Sequence, residues 1–282
     1  MNDKSLTHDR TYWLPADVKK NIEREYNERV GQLNDLYVNL INKEKPIKFV
    51  LGVSGGIDSA LCLQMLRDAD ISPDDIICWF MDIESSAYDY RCASLVCNSC
   101  ECELNYISLK KEFEQLSFKF NNYRLSHSSK LPDMNLKARI RMLFQYDQTG
   151  SGSDAIYLVV GTENFTEFFL GYCTKWGDQA TDISLIYNWT KTEVFWLSEV
   201  RNIHPEVLLK VPSAGLAVNQ TDEGEIGISY ELIDKYIKGC YDDSRLTEDV
   251  KKAIITRHLS TRHKFNDQKF ETIYRSFMKG SE

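Results

Sequence analysis

Six consecutive residues, Ser54-Gly55-Gly56-Ile57-Asp58-Ser59, place two hydroxyls and one carboxylate around a pair of glycines. An apolar run, Lys48-Phe49-Val50-Leu51, precedes them, and Ala60, Leu61, Leu63, Met65 and Leu66 follow at helical spacing. A strand that turns into a helix through two glycines can aim successive backbone N–H groups at an anion. The bland alternative is a βα turn that binds nothing. A Walker A loop would carry lysine before the final hydroxyl residue, whereas Asp58 stands there. A carboxylate beside phosphates is repulsive unless a cation lies between them, so Asp58 points to Mg2+ bridging to a nucleotide. A cation of interest lies farther on. Thr190 and Glu193 have capping-box spacing, which puts Lys191 in the first turn of a helix, where it is unfavourable unless an anion is near.

The pattern that must position these groups alternates strands with helices. Asp17 to Lys43 reads as a long amphipathic helix, with Val30, Leu33, Leu36, Tyr37, Leu40 and Ile41 on one face, to cover a sheet face or a partner subunit. Strands are expected at 48–51, 76–81, 104–109 and 155–160, with a polar loop at 82–89 and a helix near 90–97. Asn135 to Tyr146 reads as a basic helix carrying Lys137, Arg139 and Arg141, and Gly150-Ser151-Gly152-Ser153 as a flexible turn inside one domain. The strand at 155–160 ends in Gly161-Thr162-Glu163-Asn164, which should share a rim with Ser54 and Asp58. Residues 212–227 read as a mobile loop, Tyr230 restarts a helix, and Arg257-His258 with Arg262-His263-Lys264 form a basic group on the last one. In isolation such a group is a solvated helix end. The sum is an α/β chain with a doubly wound parallel sheet flanked by helices, ligands lying outside the strands' carboxyl ends. Residues 1–282 form one domain, with an N-terminal helical region at 1–45 and a core at 46–282.

Composition excludes some classes. With 34 basic and 42 acidic residues the net charge is −8, and no basic block implies a nucleic-acid surface. Neither a signal peptide nor an apolar run long enough for a membrane span is visible, so the chain is expected to be soluble and cytoplasmic. Sequons at Asn164, Asn188 and Asn219 then carry no meaning. Of eight cysteines, Cys92, Cys97, Cys100 and Cys102 cluster, but their spacing suits reduced structural thiols better than a tetrahedral zinc site.

The glycine turn resembles the pyrophosphate loop of the ATP pyrophosphatases, which split ATP between its α and β phosphates. Three further segments narrow the likeness: Asn135-Leu136-Lys137-Ala138-Arg139-Ile140-Arg141-Met142; Gly161-Thr162 through Glu167 to the run Gly171-Tyr172-Cys173-Thr174-Lys175-Trp176-Gly177-Asp178-Gln179-Ala180-Thr181-Asp182; and Pro212-Ser213-Ala214-Gly215-Leu216 with Gln220-Thr221-Asp222-Glu223-Gly224-Glu225-Ile226-Gly227. In this order they resemble the ammonia-dependent NAD synthetases, over roughly Val30 to Lys264. The resemblance implies a homodimer without a glutaminase domain, and a reaction in which the carboxylate of deamido-NAD (nicotinic acid adenine dinucleotide) takes AMP from ATP before ammonia displaces it. It places Ser54, Gly55, Gly56, Ile57, Asp58, Ser59, Ala60 and Leu61 on the ATP phosphates, with Thr162, Lys191 and Ser213 as further ATP contacts. Asp58 and Glu167 would hold Mg2+, and Asp58, Glu167 and Lys191 would be catalytic. Arg139, Lys175, Asp182, His263 and Lys264 would hold deamido-NAD, with Tyr146 and Tyr172 near the nicotinate and Asp178 assisting a second metal. The sequence departs from the pattern at Phe80-Met81-Asp82, where members carry a strand-end arginine, at Gln179-Ala180, where paired glycines are common, and at Phe265.

Two other readings compete. Another adenylating ATP pyrophosphatase would share the turn, though a tRNA-modifying one should be basic. A non-catalytic nucleotide binder would not need Asp58, Glu167 and Lys191 together.

Overall fold

The computed structural model describes residues 13–41, 45–150, 152, 154–213 and 221–265. Helix α1 (Ala16–Ile41) leads into β1 (Ile47–Gly52), α2 (Ile57–Asp68), β2 (Ile76–Asp82), α3 (Ala87–Ser99), β3 (Leu104–Ser108), α4 (Lys110–Asn121), α5 (Leu131–Gly150) and β4 (Ile156–Gly161). There follow α6 (Phe165–Leu170), β5 (Ile183–Ser184), α7 (Lys191–Val200), α8 (Pro205–Leu209), α9 (Asp222–Ile226), α10 (Tyr230–Ile237) and α11 (Glu248–Thr261), which ends in a 3-10 turn, Arg262–Lys264.

All strand pairs are parallel, in the order β3-β2-β1-β4-β5. The order reverses between β1 and β4, and that switch point opens a crevice at the carboxyl ends of the strands. Phe49, Val50 and Leu51 are fully buried because β1 is covered on both faces, which is why it reads as an unbroken apolar run. The main core joins β1 to α1, α2, α3 and α7 through Leu61, Leu63, Met65, Leu66, Trp189 and Leu197. Helix α1 covers that side of the fold within this chain: Tyr26 lies on Trp189 and donates to Asp68 at 2.8 Å.

The expected strands and the long helices stand within a few residues of their predicted bounds. Helix α4 and the short helices α6, α8 and α9 were not anticipated. Three are set by capping side chains: Asn164 and Glu167 form a capping box that starts α6, His204 accepts from Glu206 N at the start of α8, and Thr221 accepts from Gly224 N at the start of α9. The supposed loop at 212–227 therefore contains a helix; residues 214–220, with Ala214, Gly215, Leu216, Asn219 and Gln220, lie outside the described residues, as do Ser151 and Ser153 of the flexible turn. The eight cysteines are free thiols, six of them buried. Among the described residues no group of three or more His, Cys, Asp or Glu side chains is arranged to hold a metal.

Candidate active site

The phosphate turn is held open by its own backbone. Gly55 has φ +74, and a Cβ there would lie 2.2 Å from the carbonyl oxygen of Asp89 and 3.0 Å from Cys92 Cβ. Only glycine fits between the turn and α3. Ser59 Oγ accepts from Ser54 N at 3.3 Å and donates to Gly56 O at 3.1 Å, tying the turn to the first coil of α2. Gly56 caps α2 without a side-chain hydrogen bond, so the N–H groups that follow face an anion site.

Beside the turn, three elements converge on one ammonium. Lys191, the first residue of α7, is 2% exposed; its Nζ donates to Asp58 Oδ2 on α2 at 2.6 Å and to Glu167 Oε1 on α6 at 2.9 Å. Asn164 Nδ2 donates to the other Asp58 oxygen at 2.9 Å. The anion that a first-turn lysine needs is supplied by two carboxylates. Burial alone would lower the Lys191 pKa, but Asp58 and Glu167 reverse this and keep it protonated. Burial raises Glu167 despite the opposing Lys191, with Asp58 and Asp222 adding to the rise.

These groups line a cavity of about 1090 Å³ that runs across the carboxyl ends of the strands. Ser54, Gly56, Ile57, Asp58, Ser59, Thr162, Glu167, Lys191 and Ser213 line it, and so do Arg139, Tyr172, Lys175, Asp178, His263 and Lys264. The second group is one hydrogen-bonded unit. Arg139 donates to Lys175 O at 3.3 and 3.2 Å, Lys175 Nζ to His263 O at 2.9 Å, and Lys264 Nζ to Gly171 O and Cys173 O at 2.7 Å each. Tyr172 spans to α9, donating to Asp222 at 3.2 Å and Glu225 at 2.6 Å.

Five expected residues are not part of the cavity lining: Gly55, whose place is taken up by the turn's packing on α3, and Ala60, Leu61, Tyr146 and Asp182. Ala60 and Leu61 are fully buried in the core because α2 turns their side chains inward. Asp182 accepts from Val159 N at 2.8 Å and from Tyr146 OH at 3.3 Å, so this pair braces the edge of β4 outside the cavity lining.

Sequence reasoning passed over several residues. Asn164 orients Asp58, and its signal was available in the spacing Asn164-x-x-Glu167. Arg141 lines the cavity and donates from Nε to Met81 O at 3.1 Å, at the strand end that lacks a basic residue of its own. Asp222 joins Tyr172 and Tyr230 near Lys191. Asp234 on α10, an acid on a helix face read as apolar, accepts from Thr166 and Thr192.

A cavity with a helix N-terminus, a glycine turn and convergent cations at a sheet's switch point is built for a phosphate-bearing ligand, and the protein is of the α/β nucleotide-binding class. Its sequence narrows the class: the profile of the NAD synthase family matches residues 29–271, and the chain belongs to that family. It is 34% identical over 243 residues to an NH(3)-dependent NAD(+) synthetase of Mesoplasma florum, covering 86% of this chain and 95% of the relative. It is 35% identical to one of Alkaliphilus oremlandii, covering 79% and 88%. Among solved structures, the NMN synthetase of Francisella tularensis superposes with a TM-score of 0.75 at 27% identity, over 88% of this chain and 97% of that one. The NH3-dependent NAD synthetase of Campylobacter jejuni, at 22% identity and TM-score 0.65, shares the fold over 87% and 98%.

Proposed function

We propose that this protein is an ammonia-dependent NAD synthetase that converts deamido-NAD, ATP and ammonia into NAD, AMP and pyrophosphate, acting as a cytoplasmic homodimer of single-domain chains without a nucleic-acid partner. The observation that supports it most is the Asp58–Lys191–Glu167 cluster beside a phosphate turn in a chain of the NAD synthase family.

A free carboxylate resists nucleophiles because oxide is a poor leaving group, while AMP leaves readily. The site must therefore bring the nicotinate carboxylate to the α-phosphorus and stabilise charge on the departing pyrophosphate. Residues 54–59 supply backbone N–H donors and Lys191 a desolvated ammonium beside Asp58. Thr162 and Ser213 stand on the cavity wall, where they would contact ATP. Arg139, Lys175, His263 and Lys264 would hold the acid substrate, and Tyr172 lines the same cavity.

Asp58 and Glu167 suit Mg2+: both are hard oxygen donors, and their convergence on one Nζ at 2.6 and 2.9 Å supports a shared cation site. Two protein carboxylates are enough when phosphates complete the shell. When bound, Mg2+ would neutralise phosphate charge.

A second reading replaces the dinucleotide by the mononucleotide acid, favoured by the Francisella NMN synthetase superposition. Both are tested at once. The protein is incubated with ATP, Mg2+ and ammonium plus deamido-NAD or nicotinate mononucleotide, and amide, AMP and pyrophosphate are followed together. Equimolar NAD, AMP and pyrophosphate, with higher kcat/KM for the dinucleotide, is the expected result. A preference for the mononucleotide favours the second reading, and ATP binding without amide from either acid refutes both.

A further inference from the structure

Lys210, the residue after α8, reaches back to the phosphate turn. Its Nζ donates to Gly55 O at 3.0 Å and pairs with Asp89 Oδ1 at 2.5 Å. The side chain is 15% exposed, and it faces the same cavity as Ser54, Gly56 and Asp58. Position alone thus puts a second ammonium beside the turn.

The two lysines beside the turn differ in how tightly they are committed. Lys191 is clamped between Asp58 and Glu167 and is almost wholly buried. Lys210 holds one oxygen of Asp89 and one carbonyl. Asp89 has other partners, because its other oxygen, Oδ2, accepts from Ser86 N at 2.9 Å and Ser86 Oγ at 2.7 Å in the capping box of α3. If Lys210 left, Asp89 would keep two hydrogen bonds and stay at a helix N-terminus, where a carboxylate is favoured. A lysine on a flexible stem, next to an anion site and paired with a carboxylate that can spare it, is free to change partners.

A polyphosphate brings several negative charges to a place already lined by Asp58, Asp89, Glu167 and Asp222. Lys191 alone cannot balance them. We infer that Lys210 is a further nucleotide-binding residue, which exchanges Asp89 for the phosphates of ATP that leave as pyrophosphate. This rests on the reading of residues 54–59 as the ATP phosphate turn. Lys210 lies three residues before Ser213, so one short segment brings two phosphate-facing side chains to the turn.

The test compares wild type with Lys210→Met, Lys210→Arg and Asp89→Asn, using inorganic pyrophosphate as the probe. Its inhibition constant, the KM for ATP and the KM for the acid substrate are measured, with melting temperature as a check on folding. Lys210→Met should weaken pyrophosphate inhibition and raise the ATP KM at least tenfold each, while the KM for the acid substrate changes less than twofold. Lys210→Arg should restore most of the loss. Asp89→Asn, which frees Lys210, should bind pyrophosphate as tightly as wild type or more so. Parallel losses in Lys210→Met and Asp89→Asn would mean a structural clamp and overturn the inference, as would an unchanged pyrophosphate constant in Lys210→Met. If Lys210→Met does not fold, the Asp89→Asn and Lys210→Arg arms still decide, because a clamp predicts weaker binding in Asp89→Asn. Wild type that binds neither pyrophosphate nor ATP would refute the assignment of the turn itself.

Discussion

Thr192 gives both its backbone N–H and its hydroxyl to one carboxylate oxygen of Asp234, each at 2.7 Å. The other oxygen of Asp234 accepts from Thr166, whose Oγ1 in turn accepts from Lys191 N at 2.9 Å. Thr166 precedes Glu167 and Thr192 follows Lys191, so one buried acid on α10 holds the backbone next to both Glu167 and Lys191. Asp234→Ala leaves these donors unpaired in the interior, which costs about 3 kcal/mol. A fall in melting temperature is expected, together with a loss of kcat that exceeds any rise in the KM for either substrate. An unchanged kcat in folded protein would remove Asp234 from the positioning of Lys191 and Glu167.

Much of this was legible in the chain. The glycine turn, its flanking strand and the capping box ahead of Lys191 are local patterns, and local patterns survive folding. Asp58, Glu167 and Lys191 lie in three separate segments, and the parallel sheet brings their helices to one rim as the strand pattern implied. Asp234 and Lys210 were not legible, because their meaning depends on which element packs against them. Ala60, Leu61 and Asp182 show the opposite failure: a motif read as a block includes residues whose side chains point into the core or along the sheet edge. Helices α6, α8 and α9 escaped because their five or six residues carry less than two turns of hydrophobic period.

Gly55→Ala is the sharpest test of the turn. The left-handed backbone costs an L-residue about 1–2 kcal/mol. A new Cβ would also sit 2.2 Å from Asp89 O, a backbone atom that moves only if α3 moves. The variant should melt at a lower temperature and bind ATP at least tenfold more weakly. Normal ATP affinity would show that the turn does not cradle phosphate.

Lys191→Met removes the ammonium while leaving two carboxylates facing each other. The adenylation step, measured as pyrophosphate release in a single turnover, should slow by about 100-fold or more. Binding of the acid substrate, measured without ATP, should stay within twofold if Arg139, Lys175, His263 and Lys264 hold it. An unchanged single-turnover rate would deny Lys191 its role.

Asp58→Asn and Glu167→Gln test the divalent cation directly. Mn2+ in the presence of a non-hydrolysable ATP analogue should bind to wild type and at least tenfold more weakly to either variant, as read from the spectrum of free Mn2+. Removing the metal with chelator should likewise stop AMP formation. Equal Mn2+ affinity in wild type and both variants would move the cation site elsewhere.

Glu163 gives a pH signature independent of catalysis. Its Oε1 is buried without a hydrogen-bond partner, and burial pushes its pKa up to about 7; the neighbouring Asp178 adds to this, while the Cys173 thiol and Lys264 oppose it. The unfolded chain would hold this carboxyl near its ordinary value of about 4.3. Between those two values the folded state binds more proton than the unfolded one, so stability falls as pH rises through the window. The whole change amounts to about 4 kcal/mol. Glu163→Gln keeps the shape and removes the proton equilibrium. Its melting temperature should exceed that of wild type at pH 8, and the gap should close as pH falls toward 4.5. A gap that stays constant across this range would show that Glu163 does not titrate there.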